Sequence, residues 1–151
     1  MSDTDRTVRL HRVFCAPPER VFRAFTDAAA QAKWLPPHGY VCEVHEFDAR
    51  QGGRFRMSFR NLTSQQSHSF GGEYLEFVPN EKLRYSDVFD DPSLPGRMET
   101  TVTLKAVSVG TELHVEQRNI PAPIPLEGCY VGWSQSLQLL QQLVEAQVPA
   151  E

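Results

Sequence analysis

Three polar side chains are expected on the apolar faces of predicted strands, where they could do chemistry. Arg12, Asp87 and Gln117 each lie two residues from an apolar or aromatic residue of the same predicted strand. Residues two apart point to the same face of a strand, so all three should point inward. A buried charge is costly unless it is paired and hydrogen-bonded. Two interpretations follow: a satisfied internal pair, such as Arg12 with a carboxylate, or groups that orient the carbonyl or hydroxyl of a ligand in a cavity.

The histidines and cysteines indicate neither a metal centre nor a disulfide framework. The five histidines are scattered, and no HxH or HExxH pair presents two imidazoles on one face. The three cysteines have no CxxC spacing and are odd in number. The acidic pairs Asp90-Asp91 and Glu43-x-x-Glu46 are interpreted as a turn and a strand surface. We therefore predict no metal, no cofactor and no dedicated catalytic residues.

Nucleotide chemistry is also not expected. No GxxxxGK[ST] loop is present, and that loop is what holds the phosphates in P-loop enzymes. Gly52-Gly53 leads into a strand and is predicted to form a hairpin turn, whereas phosphate binding needs a glycine-rich loop that leads into a helix N-terminus. We therefore predict that the protein is not itself an ATPase.

Composition limits the class of protein. With 151 residues and 40% apolar content, one domain spanning residues 1–151 is expected, long enough to bury a sizeable core. The net charge of −4 argues against a nucleic-acid surface, which needs clustered Lys and Arg. No apolar leader and no apolar run of 18 residues occurs, so we expect a reduced, cytoplasmic protein without membrane insertion.

The segment 129–146 has the spacing of one long amphipathic helix. Trp133 and Leu137 fall on one apolar line at 100° per residue, and a single helix with such a face must bury it against a sheet. Gly132, which costs about 1 kcal/mol relative to Ala in a helix interior, and Ser136 interrupt that face. They predict a cavity of about 300 Å³ or more beside Trp133. The alternative is tight packing in which Gly132 gives clearance to a strand.

The elements that position these residues are read from periodicity and turn signals. Alternation predicts a first strand from Val8 to Phe14, then two short helices, and further strands between residues 40 and 119. Residues 61–69 are predicted to be a loose polar connection, and residues 120–125 an extended crossover to the last helix. The expected order is strand, two short helices, six strands and one long helix.

Several segments in this order resemble a known family. They are Arg12-Val-Phe-Cys-Ala-Pro-Pro-Glu-Arg-Val-Phe22, Asp48-Ala-Arg-Gln-Gly-Gly-Arg-Phe55, Gly72-Glu-Tyr74, Thr111-Glu-Leu113 and Gly132-Trp133. They are similar to the family named for the activator of heat-shock protein 90 ATPase, within the START, birch-pollen-allergen and polyketide-cyclase superfamily. The resemblance implies an α+β helix-grip fold. In that fold a curved antiparallel sheet of about seven strands wraps a long C-terminal helix, two short helices follow strand 1, and a cavity accepts an apolar ligand.

Two functions from different classes remain open. The resemblance implies a non-catalytic module that binds a small apolar or aromatic ligand, with a chaperone as a further possible partner. The eukaryotic co-chaperone has a separate N-terminal domain for chaperone contact, and this chain resembles only its C-terminal domain. The alternative is an enzyme similar to polyketide cyclases or aromatases, in which a cavity residue moves protons. An enzyme needs a titratable group with a shifted pKa facing the cavity, and no acid–base pair is evident in the sequence, so binding is favoured.

The candidate ligand-binding residues combine the inward polar positions with inward positions of the strands and the last helix. Trp34 and Trp133 are open to a second interpretation as core residues. The predicted set is Arg12, Trp34, Phe55, Met57, Phe59, Tyr74, Tyr85, Asp87, Val102, Gln117, Trp133, Ser136 and Leu137.

Overall fold

A computed structural model describes residues 6–149. Its elements follow the predicted order of strand, two short helices, six strands and a long helix. In chain order they are β1 Val8–Phe14, α1 Pro18–Thr26, α2 Ala28–Trp34, β2 Tyr40–Phe47, β3 Arg54–Asn61, β4 Ser67–Val78, β5 Lys82–Phe89, β6 Met98–Val107, β7 Gly110–Arg118 and α3 Leu126–Glu145.

The strands form one seven-stranded antiparallel sheet in the order β1-β7-β6-β5-β4-β3-β2. Every sequential pair from β2 to β7 is adjacent, and β1 closes the series by pairing with β7. The sheet is curled and α3 packs on its inner face, which confirms the predicted α+β architecture. One face of each strand is therefore turned toward α3, so strand parity decides which side chains can meet the helix.

Local signals explain how the two short helices begin and end. Pro18 opens α1, where a missing N–H costs nothing because the first turn has no partner for it. The Asp27 side chain accepts a hydrogen bond from the Ala30 N–H at 3.0 Å, as expected for an N-cap. Trp34 ends α2, just before Pro36-Pro37. These helices close one end of the space between α3 and the sheet.

The long helix carries its apolar face as predicted. Trp133, Leu137, Leu140 and Val144 are buried, together with Ser136. The helix begins at Leu126, three residues before the predicted start at Cys129, because Pro125 stands at its N-cap. The first turn thus brings Gly128 and Cys129 onto the sheet side.

The β2–β3 turn anchors the hairpin to β4. Gly52 has φ +83°, and a Cβ at Gly53 would lie 1.9 Å from the Asp48 carbonyl oxygen, so both positions favour glycine. The Gly52 N–H donates to the Tyr74 carbonyl at 2.8 Å, and the Tyr74 N–H donates to the Gly53 carbonyl at 2.9 Å. The turn therefore fixes the backbone at Tyr74, which faces the interior.

The prediction of a loose connection over residues 61–69 is wrong in part. Strand β4 already begins at Ser67, and Arg60 pairs with Ser67 in the β3–β4 ladder. The Ser58 and Ser69 hydroxyls are 2.7 Å apart across that ladder. This end of the hairpin has polar residues on both faces, so it lacks the alternation by which strands are recognised.

Two further points concern the described chain as a whole. Cys15, Cys42 and Cys129 are free thiols. Between residues 6 and 149, no helix is long and apolar enough to cross a membrane.

Candidate ligand-binding cavity

A cavity of about 380 Å³ lies between α3 and the sheet. Its volume exceeds the predicted minimum and is within the range of small-ligand sites, so the expectation of a cavity instead of a solid core is confirmed. The wall is mostly aromatic and aliphatic. Its residues are Gln31, Leu35, Pro37, Tyr40, Phe55, Met57, Phe59, His68, Phe70, Tyr74, Tyr85, Asp87, Phe89, Met98, Gln117, Ile124, Gly128, Cys129, Gly132, Trp133 and Ser136.

The exposure of the lining residues separates an inner wall from a rim. Tyr74, Tyr85 and Met57 are buried, whereas Tyr40 is half-buried and His68 is exposed. The cavity therefore reaches the surface where β2, β3 and β4 begin or end beside the α2–β2 loop. A ligand would enter there and meet the aromatic wall further in.

Aromatic ring contacts, tilted or edge to face, hold the wall in place. The Phe55 ring centroid lies 5.5 Å from that of Tyr74 and 5.6 Å from that of Tyr85. Phe59 and Phe70 pack edge to face at 4.8 Å. Such pairs stabilise by about 0.5–1.5 kcal/mol beyond area burial, so the wall is a formed surface that needs no ligand to organise it.

A chain of hydrogen bonds crosses the sheet beneath the helix. Trp133 Nε1 donates to Gln117 Oε1 at 3.0 Å, and Gln117 Nε2 donates to Thr100 Oγ1 at 3.3 Å. Thr100 stands opposite Gln117 on β7 and opposite Tyr85 on β5. Burial raises the pKa of Tyr85 far above its usual range, and Asp87 and Tyr74 add to the increase while Thr100 opposes it. Gln117 is thus a satisfied polar residue that orients Trp133.

One carboxyl oxygen of Asp87, on the inner wall, has no hydrogen-bond partner. The Asp87 side chain is 9% exposed, and its Oδ1 atom forms no hydrogen bond. Loss of water raises the pKa of the carboxyl from 3.8 to about 8, although a hydrogen bond from the Val88 backbone opposes the shift. Asp87 therefore holds its proton near neutral pH, which is the behaviour of a carboxyl in an apolar site.

The cavity also contains a second unpaired oxygen. Gln31, on α2, is buried, and its Oε1 atom has no hydrogen-bond partner. Among the residues that the structure describes, Gln31 Oε1 and Asp87 Oδ1 are the buried side-chain nitrogen or oxygen atoms without one, and both line this cavity. Buried polar groups are normally paired, so their common location marks the cavity as the chemically unusual part of the fold.

Two titratable groups of the wall lie nearer the rim. His68 reaches solvent at the rim, but partial desolvation by its neighbours lowers its pKa, and the nearby Asp91 opposes that shift. The imidazole stands 6.0 Å from the Phe59 ring and 6.1 Å from the Tyr40 ring, centroid to centroid. Burial raises the pKa of the Cys129 thiol, with Arg6 acting in the opposite direction. Both side chains are therefore biased toward their neutral forms.

Small residues one helical turn apart leave room on the α3 side. Gly128, Gly132 and Ser136 line the cavity at successive turns. Outside its own helix backbone and chain neighbours, no heavy atom lies within 4 Å of a Cβ placed at Gly132. The alternative interpretation, that Gly132 gives clearance to a strand, is therefore wrong. Ser136 Oγ donates to the Leu35 carbonyl at 2.5 Å and ties α3 to the end of α2.

Gly132→Ala should make the protein more stable and the cavity smaller. Alanine is favoured over glycine in a helix by about 0.5–1 kcal/mol, and the added methyl enters empty space. We expect the free energy of unfolding to increase by that amount and the affinity for an apolar fluorescent probe to fall, as measured by denaturant titration and fluorescence. Gln138→Ala, on the exposed face of α3, is the control. A decrease in stability would show that the position is packed.

The structure places nine of the thirteen predicted residues on the cavity wall. They are Phe55, Met57, Phe59, Tyr74, Tyr85, Asp87, Gln117, Trp133 and Ser136.

Arg12, the polar residue of β1 that was predicted to point inward, is not on the cavity wall. Arg12 has the predicted parity but lies half-buried at the sheet edge, where its guanidinium donates to the His11 carbonyl at 2.8 Å and to Ser134 Oγ at 3.3 Å. An internal pair of Arg12 with a carboxylate is therefore also not what the structure shows.

The other three predicted residues outside the wall are core residues. Val102, on β6, and Leu137, on α3, are both buried in the hydrophobic core. Trp34 has no exposed surface, its Nε1 donates to the Ala24 carbonyl at 2.8 Å, and its ring packs on Phe25 at 4.7 Å. The core interpretation of Trp34 is thus correct, because the indole fills the contact between α1 and α2.

Trp34→Phe should reduce stability without changing ligand binding. The change deletes the hydrogen bond to the buried Ala24 carbonyl and part of the ring, so we expect a loss of about 1–3 kcal/mol in the free energy of unfolding. Affinity for an apolar probe should stay the same, because Trp34 does not reach the cavity. Unchanged stability together with much weaker probe binding would contradict this assignment.

Several residues of the cavity wall were not predicted from the sequence. Gln31 comes from α2, Leu35 is the residue that follows α2, and Ile124 comes from the crossover before α3. Phe70 has the same parity as Tyr74 on β4, and Phe89 has the same parity as Asp87 on β5. Strand alternation could therefore have predicted both phenylalanines. His68 was set aside as part of a presumed loop. The helical and loop contributors depend on tertiary packing, which periodicity does not contain.

Two of the histidines that are scattered in the sequence meet on the outer face of the sheet. His11 and His114 stand opposite each other in the β1–β7 ladder, with ring centroids 4.7 Å apart. Glu112 Oε2 lies 2.9 Å from His11 Nε2 and 3.9 Å from His114 Nε2. These three side chains offer donor atoms within 4.8 Å of one another, on half-exposed residues where ion pairs are also common. Two distant sequence positions meet here only through strand pairing.

The fold and the cavity wall can be compared with known proteins. Residues 15–145 match the family described as Activator of Hsp90 ATPase homolog 1-like protein. The chain belongs to this family. The resemblance seen in the sequence is therefore correct, and the helix-grip architecture is that of an Activator of Hsp90 ATPase homolog 1-like protein. No curated protein matches the chain.

Solved structures share the fold. Protein CV1439 from Chromobacterium violaceum is 57% identical, with a TM-score of 0.93, and the match covers 94% of this chain and 99% of that chain. Protein MLL2253 from Mesorhizobium loti is 28% identical, with a TM-score of 0.72 over 91% of this chain and 95% of that one. The AHSA1 protein SPO3351 from Silicibacter pomeroyi, 20% identical with a TM-score of 0.80 over 91% and 96% of the two chains, shares the fold.

Proposed function

We propose that this domain binds a small, largely aromatic or apolar molecule in the cavity between α3 and the sheet, and that Asp87 holds one polar group of that molecule. The observation that carries the proposal is the unpaired Asp87 Oδ1 atom in an otherwise aromatic wall. An unsatisfied buried polar atom costs about 1–3 kcal/mol. A ligand that brings a hydrogen-bonding partner offsets that cost and gains affinity from it.

The wall supports the apolar part of this ligand. The cavity that Asp87 lines is also lined by the aromatic side chains of Phe55, Tyr74, Tyr85 and Trp133 and by Met57. Apolar area removed from water contributes about 25 cal/mol per Å², so a flat ring seated there gains affinity without polar contacts. The hydrogen-bonded position of Trp133 on Gln117 keeps the indole oriented before binding. The site is therefore preorganised, which lowers the entropic cost of association.

Native mass spectrometry of the purified protein tests the proposal. We expect a small molecule to co-purify, or an apolar fluorescent probe to bind one site per chain. Asp87→Asn should change the affinity for ligands that carry a polar group and leave purely apolar probes little affected. The matched control is Glu116→Gln, since Glu116 lies on the outer face of β7 and pairs with Arg9. The proposal is wrong if no apolar molecule binds, or if both variants behave like wild type with polar ligands.

A second candidate is an enzyme in which Asp87 transfers a proton. It is favoured by the pKa of Asp87, raised to about 8 by burial, because a general acid or base works best with a pKa near the operating pH. The cavity would then fold a reactive chain similar to a polyketide, and Asp87 would protonate or deprotonate a carbon next to a carbonyl. Tyr85, held by Thr100 on the neighbouring strand, would orient that carbonyl.

Product analysis distinguishes the two candidates. A short poly-β-keto thioester analogue incubated with the protein should cyclise faster than in buffer if Asp87 is catalytic, and Asp87→Asn should abolish the increase while binding remains. For an enzyme of this type the rate should change between pH 7 and 9, where Asp87 loses its proton. Equal product formation with wild type and Asp87→Asn would leave the binding module as the function.

A further inference from the structure

We propose that the ligand of this cavity carries a protonated amine on an aromatic frame, with the Asp87 carboxylate as its counter-ion. This inference rests on the proposed binding function and names the class of ligand. It is carried by three observations on the wall: an unpaired buried carboxyl oxygen, the lack of any basic partner for it, and the aromatic rings around it.

The charges of the wall favour a cation. Asp87 is the acid among the lining residues, and none of the described residues that line the cavity is a lysine or an arginine. Arg12, the base on an inward position of β1, is turned to the His11 carbonyl and Ser134 instead. A carboxylate ligand would therefore find no cationic partner in the wall, which is unfavourable in a buried site.

The unpaired atoms select a donor. Asp87 Oδ1 and Gln31 Oε1 are both oxygens without hydrogen bonds, and an ammonium group offers three N–H donors and no acceptor. An ammonium group can donate to either oxygen, whereas a carbonyl ligand can pair only with the protonated form of Asp87. Hydrogen bonds to charged groups are also the stronger ones.

The aromatic wall suits the same charge. Tyr74, Tyr85 and Phe55 lie with ring centroids 5.5 to 6.1 Å apart around the inner wall, and Trp133 faces them from α3. A cation near the face of such rings is attracted by their quadrupoles, and more so where water is excluded. The wall thus offers apolar area for a ring and a favourable electrostatic environment for an attached ammonium group.

Binding of an amine should release a proton. The free carboxyl of Asp87 holds its proton at pH 7 because burial raises its pKa to about 8. When the ammonium group arrives, the carboxyl proton passes to the buffer, and the carboxylate and ammonium remain as an ion pair. The other titratable groups that line the cavity are Tyr40, Tyr74 and Tyr85, and at the rim His68 and Cys129. Burial raises the pKa values of Tyr74 and Tyr85, and His68 and Cys129 are biased to their neutral forms. None of these supplies a positive charge that would compete with the ligand.

Calorimetry with four matched probes tests the inference. The probes are 2-naphthylmethylamine, 2-naphthalenemethanol, 2-methylnaphthalene and 2-naphthoic acid, which share one ring and differ in charge and hydrogen bonding. At pH 7 we expect the amine to bind at least about tenfold more tightly than the alcohol or the hydrocarbon, and the acid most weakly. Only for the amine should the measured binding enthalpy differ between phosphate and Tris buffers. The difference should correspond to the release of nearly one proton per amine bound, which the buffer takes up.

The variants separate this inference from the function on which it rests. Asp87→Asn should lose the preference for the amine and the proton release, yet keep the affinity for 2-methylnaphthalene, while Glu116→Gln should behave like wild type. If the alcohol or hydrocarbon binds wild type as tightly as the amine and no proton is released, the cationic ligand is excluded and the binding function stands. If none of the four binds wild type at up to about 1 mM, both fail.

Discussion

Asp87→Asn should stabilise the protein at pH 8 by roughly 2–5 kcal/mol, an effect that should disappear near pH 4. The carboxyl has a pKa of about 8 in the folded state against 3.8 without burial. When folding raises the pKa of an acid, its contribution to native stability is fully present at pH values below the unfolded-state pKa. That stability is lost as pH increases from about 4 to about 8, and it changes no further above that. Asparagine is neutral throughout and avoids the loss.

Denaturant titrations at pH 4, 6 and 8.5 measure the effect. The difference in unfolding free energy between Asp87→Asn and wild type should grow across this series. Glu116→Gln, which removes an exposed carboxylate on the outer face of the sheet, should show no such growth. A difference that is constant with pH, or a variant less stable than wild type at pH 8.5, would mean that Asp87 is ionised and satisfied in the native state.

The outcome bears on function because it separates packing from binding. A residue whose removal increases stability is not required by the core, and stabilising changes at functional sites commonly impair function. Gly132 fits the same pattern, since alanine would suit the helix better and yet a glycine leaves space. Asp87 and Gly132 both line the cavity. The two positions at which another residue would make the protein more stable therefore lie in the same site.

The architecture was predictable because its signals are local. Alternation in the strands and the 3.6-residue period of the last helix survive in a single sequence, and they placed Phe55, Met57 and Trp133 on the inner face, where the structure has them. Asp87 and Gln117 were predicted by parity alone. What parity could not decide was distance along the strand: Val102 and Leu137 face inward but pack in the core, because the cavity occupies only part of the inner face.

The remaining differences come from contacts between distant segments. The parity of β1 correctly placed Arg12 on the inner face of the strand. However, β1 is an edge strand, and the long side chain of Arg12 reaches Ser134 at the border of the sheet. Gln31 joined the wall because α2 closes one end of the cavity, which no periodicity predicts. His11 and His114 are separated by most of the chain and meet only through the β1–β7 register. Such placements follow from topology and not from local pattern.

Trp133→Ala should leave the protein folded and change ligand binding more than any other change in α3. Trp133 is 9% exposed and has the cavity on one side, whereas Leu140 is 0% exposed and surrounded by core. A fully packed Trp→Ala change costs about 3–5 kcal/mol, and part of that packing is absent here. We therefore expect a loss nearer 2–3 kcal/mol for Trp133→Ala, and one of 2–5 kcal/mol for Leu140→Ala.

Chemical denaturation of both variants, with binding of an apolar fluorescent probe to each folded protein, makes the comparison. Trp133→Ala should alter probe affinity at least about tenfold and Leu140→Ala much less. Trp133→Phe keeps a ring but removes the hydrogen bond to Gln117 Oε1, so it should weaken binding by a smaller factor. Equal, severe unfolding of both alanine variants, with wild-type binding in Trp133→Phe, would show that the indole belongs to the core.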